Sequence, residues 1–259
     1  MLNIKVVKVG GNELDRPEWV AECARALRGI GPAVIVHGGG QAVSHWSRRL
    51  GLPVEKKDGL RVTTPEIAQI VEMVLGGPVN RLLVTALREA GLDAIGLSGV
   101  DGGLLTAQPI QGDGLGEVGE IAHVRGSLLQ SLLLAGLTPV VAPVAPSATS
   151  PVRPLNVNAD QAAAAIAAAL GTGAEELLFV SDVPGVTVDG VTQPTLAAAE
   201  IEQMIEAGVA SGGMAAKLRA AAQALRAGVR AVRIGDLEML GDATAGTRLL
   251  ATPPAVQPA

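Results

Sequence analysis

The sequence of 259 residues contains very few aromatic residues and a single cysteine. It has no tyrosine, one phenylalanine and two tryptophans, so it lacks the aromatic side chains on which single-stranded nucleic acids stack. Because Cys23 is the single cysteine, no disulfide can form within the chain. Cys23 stands at helical spacing from Trp19, Val20 and Leu27, which favours a buried core residue over a nucleophile.

Excess positive charge and long apolar runs are absent as well. The net charge of −5 disfavours general binding to the phosphate backbone of nucleic acids. The apolar run at residues 132–137 is far too short to span a bilayer, and the N-terminus leads directly into a strand rather than a signal peptide. These features predict a cytoplasmic protein that binds neither membranes nor nucleic acids.

Short apolar runs alternate with helical patterns along the chain, which is typical of a parallel sheet covered by helices. The sequence predicts an α/β fold, a three-layer sandwich with a mostly parallel central sheet and two lobes. Strands are predicted at residues 4–9, 33–36, 94–97, 138–142, 177–181 and 231–234. Helices are predicted at residues 17–28, 41–50, 65–75, 79–90, 127–134, 159–170, 196–206 and 214–227.

Two segments interrupt this alternation and are predicted to form hairpins. One covers residues 104–124, and the other covers residues 186–191 around the turn signal Asp189-Gly190. Residues 145–154 are rich in proline, serine and threonine and are predicted to form a loop between lobes. We predict an N-terminal lobe at residues 1–172, a C-terminal lobe at 173–250 and a disordered tail at 251–259.

Glycine clusters with nearby lysines carry the strongest chemical signal. Lys8 precedes Gly10-Gly11, and Lys217 follows Gly212-Gly213, although the chain has only five lysines. A third cluster, Gly38-Gly39-Gly40, lies between a predicted strand and a predicted helix, where backbone N–H groups favour an anion. Glycine lets the backbone approach an anion closely, and lysine adds a compact positive charge. The pattern predicts a site that holds a transferring phosphoryl group.

The common phosphate-binding motifs do not account for these clusters. No P-loop sequence occurs. A literal G-x-G-x-x-G at Gly114, Gly116 and Gly119 leads into a predicted strand instead of a helix, and the triplet at Gly38 would place its final small residue at Val43. The triplet could also be only a tight connection. A nucleotide would have to be held in another way.

Further polar residues lie near the predicted ends of strands, where open α/β sheets bind ligands. Asn156, Asn158 and Asp160 either cap the helix that follows or, alternating in an extended segment, point the same way and form part of a site. In the second interpretation Asp160 orients nearby lysines while an asparagine contacts the substrate. Arg61 stands between apolar residues, where a carboxylate partner would make sense. Ser181-Asp182 ends a buried strand, where open α/β sheets bind ligands.

The sequence gives no indication of a protein metal site or of a catalytic dyad. His37, His45 and His123 do not have the spacing of metal ligands, and His37 is interpreted as a hydrogen-bonded loop residue. No Ser/His/Asp or Cys/His set is readable.

Taken in order, these segments resemble the amino acid kinase family, and within it the members that phosphorylate N-acetyl-L-glutamate. The resemblance covers residues 4–250 and rests on the order and spacing of seven segments together. The segments are Lys8-Val9-Gly10-Gly11, His37-Gly38-Gly39-Gly40, Gly59-Leu60-Arg61-Val62-Thr63, Glu72-Met73-Val74-Leu75-Gly76-Gly77, Asn156-Val157-Asn158-Ala159-Asp160-Gln161, Ser181-Asp182-Val183-Pro184-Gly185 and Gly213-Met214-Ala215-Ala216-Lys217.

The resemblance implies transfer of the ATP γ-phosphoryl group to the side-chain carboxylate of N-acetyl-L-glutamate. It implies catalytic roles for Lys8, Lys217 and Asp160, and substrate contacts from Gly38, Gly39, Arg61, Asn156 and Asn158. The implied nucleotide-binding residues are Gly10, Gly11, Ser181, Asp182, Val183, Pro184, Gly185, Val186, Gly213 and Met214. Mg²⁺ would be held mainly by the nucleotide phosphates and water. The N-terminal lobe would bind the acyl amino acid and pair with a second subunit, and the C-terminal lobe would bind ATP.

Two alternatives remain open from the sequence. One is a kinase of the same family that acts on glutamate or aminoadipate attached to an acidic carrier protein, with Arg48, Arg49, Lys56 and Lys57 as a basic rim. The other is a non-catalytic sensor of nucleotides or amino acids. The family members that arginine inhibits carry a helix before the first strand, whereas this chain begins at the strand; we therefore expect a homodimer and no arginine control.

Overall fold

The computed structural model describes residues 2–11, 13–57, 59–111, 114–150 and 154–251. The predicted tail after Ala251 lies outside the described residues, as do parts of the 104–124 hairpin turn and of the 145–154 loop.

The described residues form eight α-helices and sixteen strands. The helices are α1 Pro17–Arg28, α2 Gly40–Arg49, α3 Pro65–Val74, α4 Asn80–Glu89, α5 Gly126–Leu134, α6 Ala159–Leu170, α7 Ile201–Glu206 and α8 Gly212–Arg226. The strands are β1 Ile4–Val9, β2 Ala33–His37, β3 Lys56–Lys57, β4 Leu60–Arg61, β5 Ala94–Ser98, β6 Leu105–Pro109, β7 Val118–Val124, β8 Thr138–Ala142, β9 Val144–Pro146, β10 Pro154–Val157, β11 Ala174–Val180, β12 Thr187–Val188, β13 Val191–Thr192, β14 Thr195–Ala197, β15 Val232–Gly235 and β16 Thr247–Leu250.

Eight strands form one sheet in the order β14-β16-β15-β11-β1-β2-β8-β5. All neighbours in it run parallel except β15 and β16. The predicted three-layer α/β fold with a mostly parallel sheet is confirmed. Strands up to residue 142 form one half of the sheet and strands from residue 174 form the other, so β1 and β11 meet where the direction of the strand order changes. Ligands bind at such points in open α/β sheets.

Helices cover both faces of this sheet and bury two separate cores. Helices α1 to α4 pack on one face, where Leu27, Ile67 and Leu83 are buried in one core with Ile35 of β2. Helices α5, α6 and α8 pack on the other face, with Ile166 among the buried residues. Because central strands are apolar on both faces, they read in the sequence as continuous runs and were predictable.

The two hairpin predictions are confirmed. Strands β6 and β7 pair antiparallel and belong to a second sheet of order β6-β7-β10-β9. Strands β12 and β13 pair antiparallel across Asp189 and Gly190, whose φ angles of 50° and 80° are those of a tight hairpin turn.

The prediction of one helix over residues 196–206 is wrong in its first half. Residues Thr195–Ala197 form the edge strand β14, which pairs parallel with β16, and the helix begins at Ile201. Strand β16 was not predicted. Leu196 and Ala197 are buried beside β16, so pairing between distant segments overrides the helical propensity of the local sequence.

The predicted 145–154 loop is also partly wrong. Val144–Pro146 forms β9, which pairs antiparallel with β10 at Pro154–Val157. This pairing holds the residues that follow β10 against the central sheet, where the candidate site lies.

Residues Pro65–Glu89 form a helical stretch that is long and apolar enough, by length and composition alone, to cross a membrane. It bends at Gly77, between α3 and α4, where the backbone leaves helical geometry. Ile67, Val71 and Leu83 within it are buried in the core. These contacts identify the stretch as a pair of core helices.

Candidate active site

The carboxyl ends of four central strands open into one cavity of about 400 Å³. Gly10 and Gly11 follow β1, Gly38 follows β2, Pro143 follows β8 and Ser181 follows β11, and all of them line it. The volume is in the range of small-molecule sites. The ends of parallel strands meet at one edge of the sheet, which explains why segments far apart in sequence share this cavity.

Two glycine loops touch each other at the base of the cavity. A side chain at Gly11 would place its Cβ 2.4 Å from the Gly39 backbone nitrogen. Gly39 has a φ of 149°, and a Cβ there would lie 2.6 Å from Leu75. Only glycine fits at either position. The N–H groups of Gly11 and Gly39 donate to no backbone acceptor within the described part of the chain, so they are available to an anion.

A buried ion pair lies beside these loops. Lys8 projects from β1 and Asp160 from the first turn of α6, and their Nζ and Oδ1 atoms are 2.9 Å apart with both side chains under one-tenth exposed. Asp160 Oδ1 accepts no well-aligned hydrogen bond from the described residues, so the short separation reflects an ion pair without good hydrogen-bond geometry. The predicted neighbours Lys8 and Asp160 are brought together by the fold.

Lys217 completes the charged centre from α8, and it lines the same cavity. Burial, and next the ammonium of Lys8, lower the pKa of Lys217, while Asp160, Glu13 and Asp182 oppose that shift. The charges of two lysines and of several carboxylates therefore act on one another in this cavity. An anion bound between the lysines would relieve their repulsion.

Glu13 belongs to this centre, and sequence reasoning missed it. Its side chain is buried, lines the cavity and has no hydrogen-bond partner for Oε2 among the described residues. The carboxylate lies against the Cα face of Gly10. An acidic residue two positions after a glycine pair at a strand end was a signal available in the sequence.

Arg61 reaches the cavity from β4. Its Nη2 donates to the Gly40 carbonyl and to Ser44 Oγ, each at 2.7 Å, which ties it to the start of α2. Its Nη1 is buried without a partner among the described residues. The guanidinium is thus fixed on one side and has a donor left for a ligand.

Asn156 and Asn158 act differently, although both line the cavity. Asn156 Nδ2 donates to Thr63 Oγ1 at 3.1 Å, which connects β10 to the Arg61 segment. Asn158 Oδ1 accepts from the backbone N–H groups of Asp160 and Gln161 and caps α6. The helix begins at Ala159, so the alternation in an extended segment stops before Asp160, and the cap interpretation holds for Asn158.

The predicted nucleotide residues divide into two groups. Ser181, Asp182 and Gly213 line the cavity, together with Gly10 and Gly11. The residues of the prediction that do not line it are Val183, Pro184, Gly185, Val186 and Met214. Val186 is buried, and its N–H donates to Thr247 Oγ1 at 2.8 Å.

Four apolar residues that were not predicted to belong to the site line the cavity together with Arg61 and are called the apolar wall below. They are Val43 from α2, Leu60 from β4, and Val71 and Leu75 at the end of the α3 segment. Val43, Val71 and Leu75 were predicted only as helix residues, and no site role was assigned to any of the four from the sequence.

Neither the histidines nor the cysteine add chemistry to the cavity. No histidine is among its lining residues, and the described residues contain no cluster of three His, Cys, Asp or Glu side chains that could hold a metal. Burial raises the pKa of the Cys23 thiol to about 12, which makes it a poor nucleophile and supports its interpretation as a core residue.

Known proteins match this chain over nearly its whole length. The sequence model of the amino acid kinase family matches residues 3–236. Acetylglutamate kinase from Chloroflexus aurantiacus is 50% identical over 251 residues, 96% of this chain and 97% of the relative. Acetylglutamate kinase from Chloroflexus aggregans is 48% identical over 253 residues, 96% of this chain and 98% of the relative. The crystal structure of smu.665 from Streptococcus mutans UA159 superposes with a TM-score of 0.85 at 29% identity, covering 97% of this chain and all of that one.

Replacing Asp160 with asparagine should lower the pKa of Lys217 further, because it removes a carboxylate that opposes the effects of burial and Lys8. Lysines labelled with ¹³C at Cε report their pKa by NMR, and the chain has only five of them. In the wild type Lys217 should titrate below the ordinary lysine pKa, because burial and the Lys8 ammonium both lower its pKa. An Asp93→Asn variant at the surface serves as the control. An unchanged Lys217 titration in Asp160→Asn would contradict this electrostatic arrangement.

Proposed function

The chain belongs to the amino acid kinase family, and we propose that it transfers the γ-phosphoryl group of ATP to the side-chain carboxylate of N-acetyl-L-glutamate. The product is N-acetylglutamyl 5-phosphate, an intermediate of arginine biosynthesis. The observation that carries this proposal is the Lys8–Asp160 ion pair with Lys217 in the same cavity. The relatives at about half identity over their whole length support the choice of acceptor.

The chemistry needs charge stabilisation and no general base. A carboxylate with an ordinary pKa of about 4.3 is already ionised near neutral pH and can attack phosphorus directly. Lys8 and Lys217 would stabilise the charge that spreads over the equatorial oxygens of the transferring group. Asp160, paired to Lys8, keeps that ammonium in place.

The two lobes would each hold one substrate. The lobe at residues 173–250 contributes Lys217, Gly213 and Ser181-Asp182, and we assign it the nucleotide. The lobe at residues 1–172 contributes Lys8 and both glycine loops, and we assign it the acyl amino acid. The cavity at the boundary between β1 and β11 would bring the two anions together.

Arg61 and the apolar wall suit the acceptor. The unpaired Nη1 of Arg61 can donate to the α-carboxylate while Nη2 stays bonded to α2. Val71 and Leu75 offer an apolar surface for the acetyl group. A free amino group in that position would be a charge without a partner, which is costly to bury.

The residues of this site suit a Mg²⁺ ion that is held mainly by the nucleotide phosphates. Asp160 is already paired with Lys8, and the described residues offer no group of three metal-binding side chains. When bound to the phosphates, Mg²⁺ would neutralise part of their charge. Glu13 and Asp182 are the carboxylates left to hold its water ligands.

The alternatives are weaker. A carrier-linked substrate would need a basic rim, of which Lys56 alone lines the cavity. A protein that only senses ligands would not need two lysines, one buried and one partly buried, whose charges repel each other. We also propose a cytoplasmic homodimer, paired through the N-terminal lobe; Met73 and Leu82 are about half exposed there, at 49% and 43%.

ATP-dependent acyl-phosphate formation, trapped with hydroxylamine, tests the function itself. N-acetyl-L-glutamate should be preferred over L-glutamate and L-2-aminoadipate by roughly 10²-fold in kcat/KM, because an unpaired ammonium is costly to bury against the apolar wall. Hydroxamate from free aminoadipate at a similar rate, or from none of the three, would refute the proposed acceptor.

Lys8→Ala and Lys217→Ala should each lower kcat by about 10²- to 10³-fold, the usual cost of losing one donor to transition-state charge. The KM values should change little, because the charge acts chiefly in the transition state. Lys57→Ala, at an exposed position, is the control. Turnover near the wild-type value in either active-site variant would remove these lysines from the mechanism.

Arg61→Ala should raise the KM for N-acetyl-L-glutamate by about 10- to 10²-fold, in line with the loss of a charged hydrogen bond, and leave the KM for ATP unchanged. Arg61→Lys should recover only part of this loss, because an ammonium cannot keep both Nη2 contacts and also present a second fixed donor. Initial rates with each substrate varied in turn measure both constants. A rise confined to the KM for ATP would place Arg61 on the wrong substrate.

A further inference from the structure

The buried histidine His37 has no role in the transfer described above. It is the last residue of β2, directly before Gly38, and its side chain is fully buried. Burial lowers the pKa of His37 to about 4, so the ring is neutral at neutral pH. A neutral imidazole has one N–H donor and one nitrogen acceptor.

The neighbours of the ring determine which nitrogen carries the proton. Nδ1 lies 2.7 Å from the Gly38 carbonyl oxygen, which can only accept. Nε2 lies 3.1 Å from Asn80 Nδ2. That amide nitrogen also donates to the Val140 carbonyl at 2.9 Å, while Arg81 donates to Asn80 Oδ1, so the amide orientation is fixed. His37 therefore donates from Nδ1 to Gly38 and accepts at Nε2 from Asn80.

This chain of hydrogen bonds fixes the peptide between Gly38 and Gly39. A trans peptide is planar, and its C=O and N–H point in opposite directions. Because the Gly38 carbonyl is held toward His37 and the α4 layer, the Gly39 N–H points away from that layer. Gly39 lines the cavity, and this N–H donates to no backbone acceptor among the described residues.

The Gly38–Gly39 peptide needs hydrogen bonds to hold its orientation, because glycine alone does not define the backbone conformation. Gly39 has φ 149° and ψ 25°, a geometry to which a flexible glycine has no strong preference. A fully buried ring and amide also cost free energy unless their hydrogen bonds are satisfied. A role in packing alone would be filled at lower cost by apolar side chains.

We propose that His37 and Asn80 are positioning residues that hold the Gly39 N–H toward the transferring phosphoryl group. The proposal rests on the phosphoryl transfer proposed above and adds how one of its backbone donors is oriented. Neither side chain touches the substrate.

Two substitutions of His37 separate its two hydrogen bonds. In His37→Asn the amide nitrogen takes the place of Nδ1 and can still donate to Gly38. In His37→Gln the amide takes the place of Nε2 and keeps the contact with Asn80, but the bond to Gly38 is lost. His123→Asn and His123→Gln, at an exposed position on β7, are the matched controls.

The expected result is a difference in turnover between the two variants. His37→Gln should lose about 10²-fold in kcat, near the cost of one misplaced transition-state donor, with both KM values within a few-fold of the wild type. His37→Asn should retain most of the turnover, and both controls all of it. Equal losses in the two His37 variants, or wild-type turnover in His37→Gln, would overturn the proposal.

NMR of the wild type gives a second test that needs no turnover and no variant. Glycine is labelled with ¹³C at the carbonyl and ¹⁵N at the amide. A spectrum that correlates each amide with the carbonyl of the preceding residue then shows only glycines that follow another glycine, and Gly39 is one of them. The magnesium complex of AMP-PNP should shift the Gly39 amide proton downfield, and an unshifted Gly39 amide would overturn the proposal. If the wild type forms no acyl phosphate, the proposed function fails, whereas the Gly39 shift still tests the positioning.

Discussion

The site depends on bringing two lysine ammonium groups into one cavity, with Lys8 buried and Lys217 partly buried. Removing an ion from water costs free energy, and burial and then the Lys8 charge lower the pKa of Lys217. Asp160 makes this arrangement tolerable, because it forms an ion pair with Lys8 and also supports the charge of Lys217. Asp160 can do so only if α6 begins immediately after β10, which the Asn158 cap secures. The start of one helix thus determines the chemistry of the cavity.

The backbone around this charge is arranged to receive an anion. The loops after β1 and β2 approach so closely that only glycine fits at Gly11 and Gly39. Their N–H groups, which donate to no backbone acceptor among the described residues, and the two lysines lie where strands of both halves of the sheet end. A site built this way stores positive potential in the free protein, and electrostatic stabilisation of this kind costs no reorganisation during the reaction. The anion-binding character of the cavity therefore depends on which strands end beside one another.

The central elements could be predicted because their signals are local. Strands β1 and β8 and helices α1 and α6 have the predicted boundaries, since apolar runs and caps are read from neighbouring residues. The edge strand at Thr195–Ala197 was misread as helix, because its pairing partner β16 lies some fifty residues away. The proposed roles of Lys8 and Lys217 come from the family resemblance, because spacing alone could not assign them.

By itself the sequence determined the α/β class, the glycine loops and the charged residues that belong to the site, because each has a local pattern or a fixed chemistry. Tertiary structure decided which of these groups meet. It placed Glu13 in the charged centre, made Asn158 a cap, and turned Val71 and Leu75 into one wall of the cavity. It also bound the His37 ring to Asn80 of α4. The physical reason is that burial and hydrogen-bond geometry depend on contacts between segments distant in sequence, and no local pattern records them.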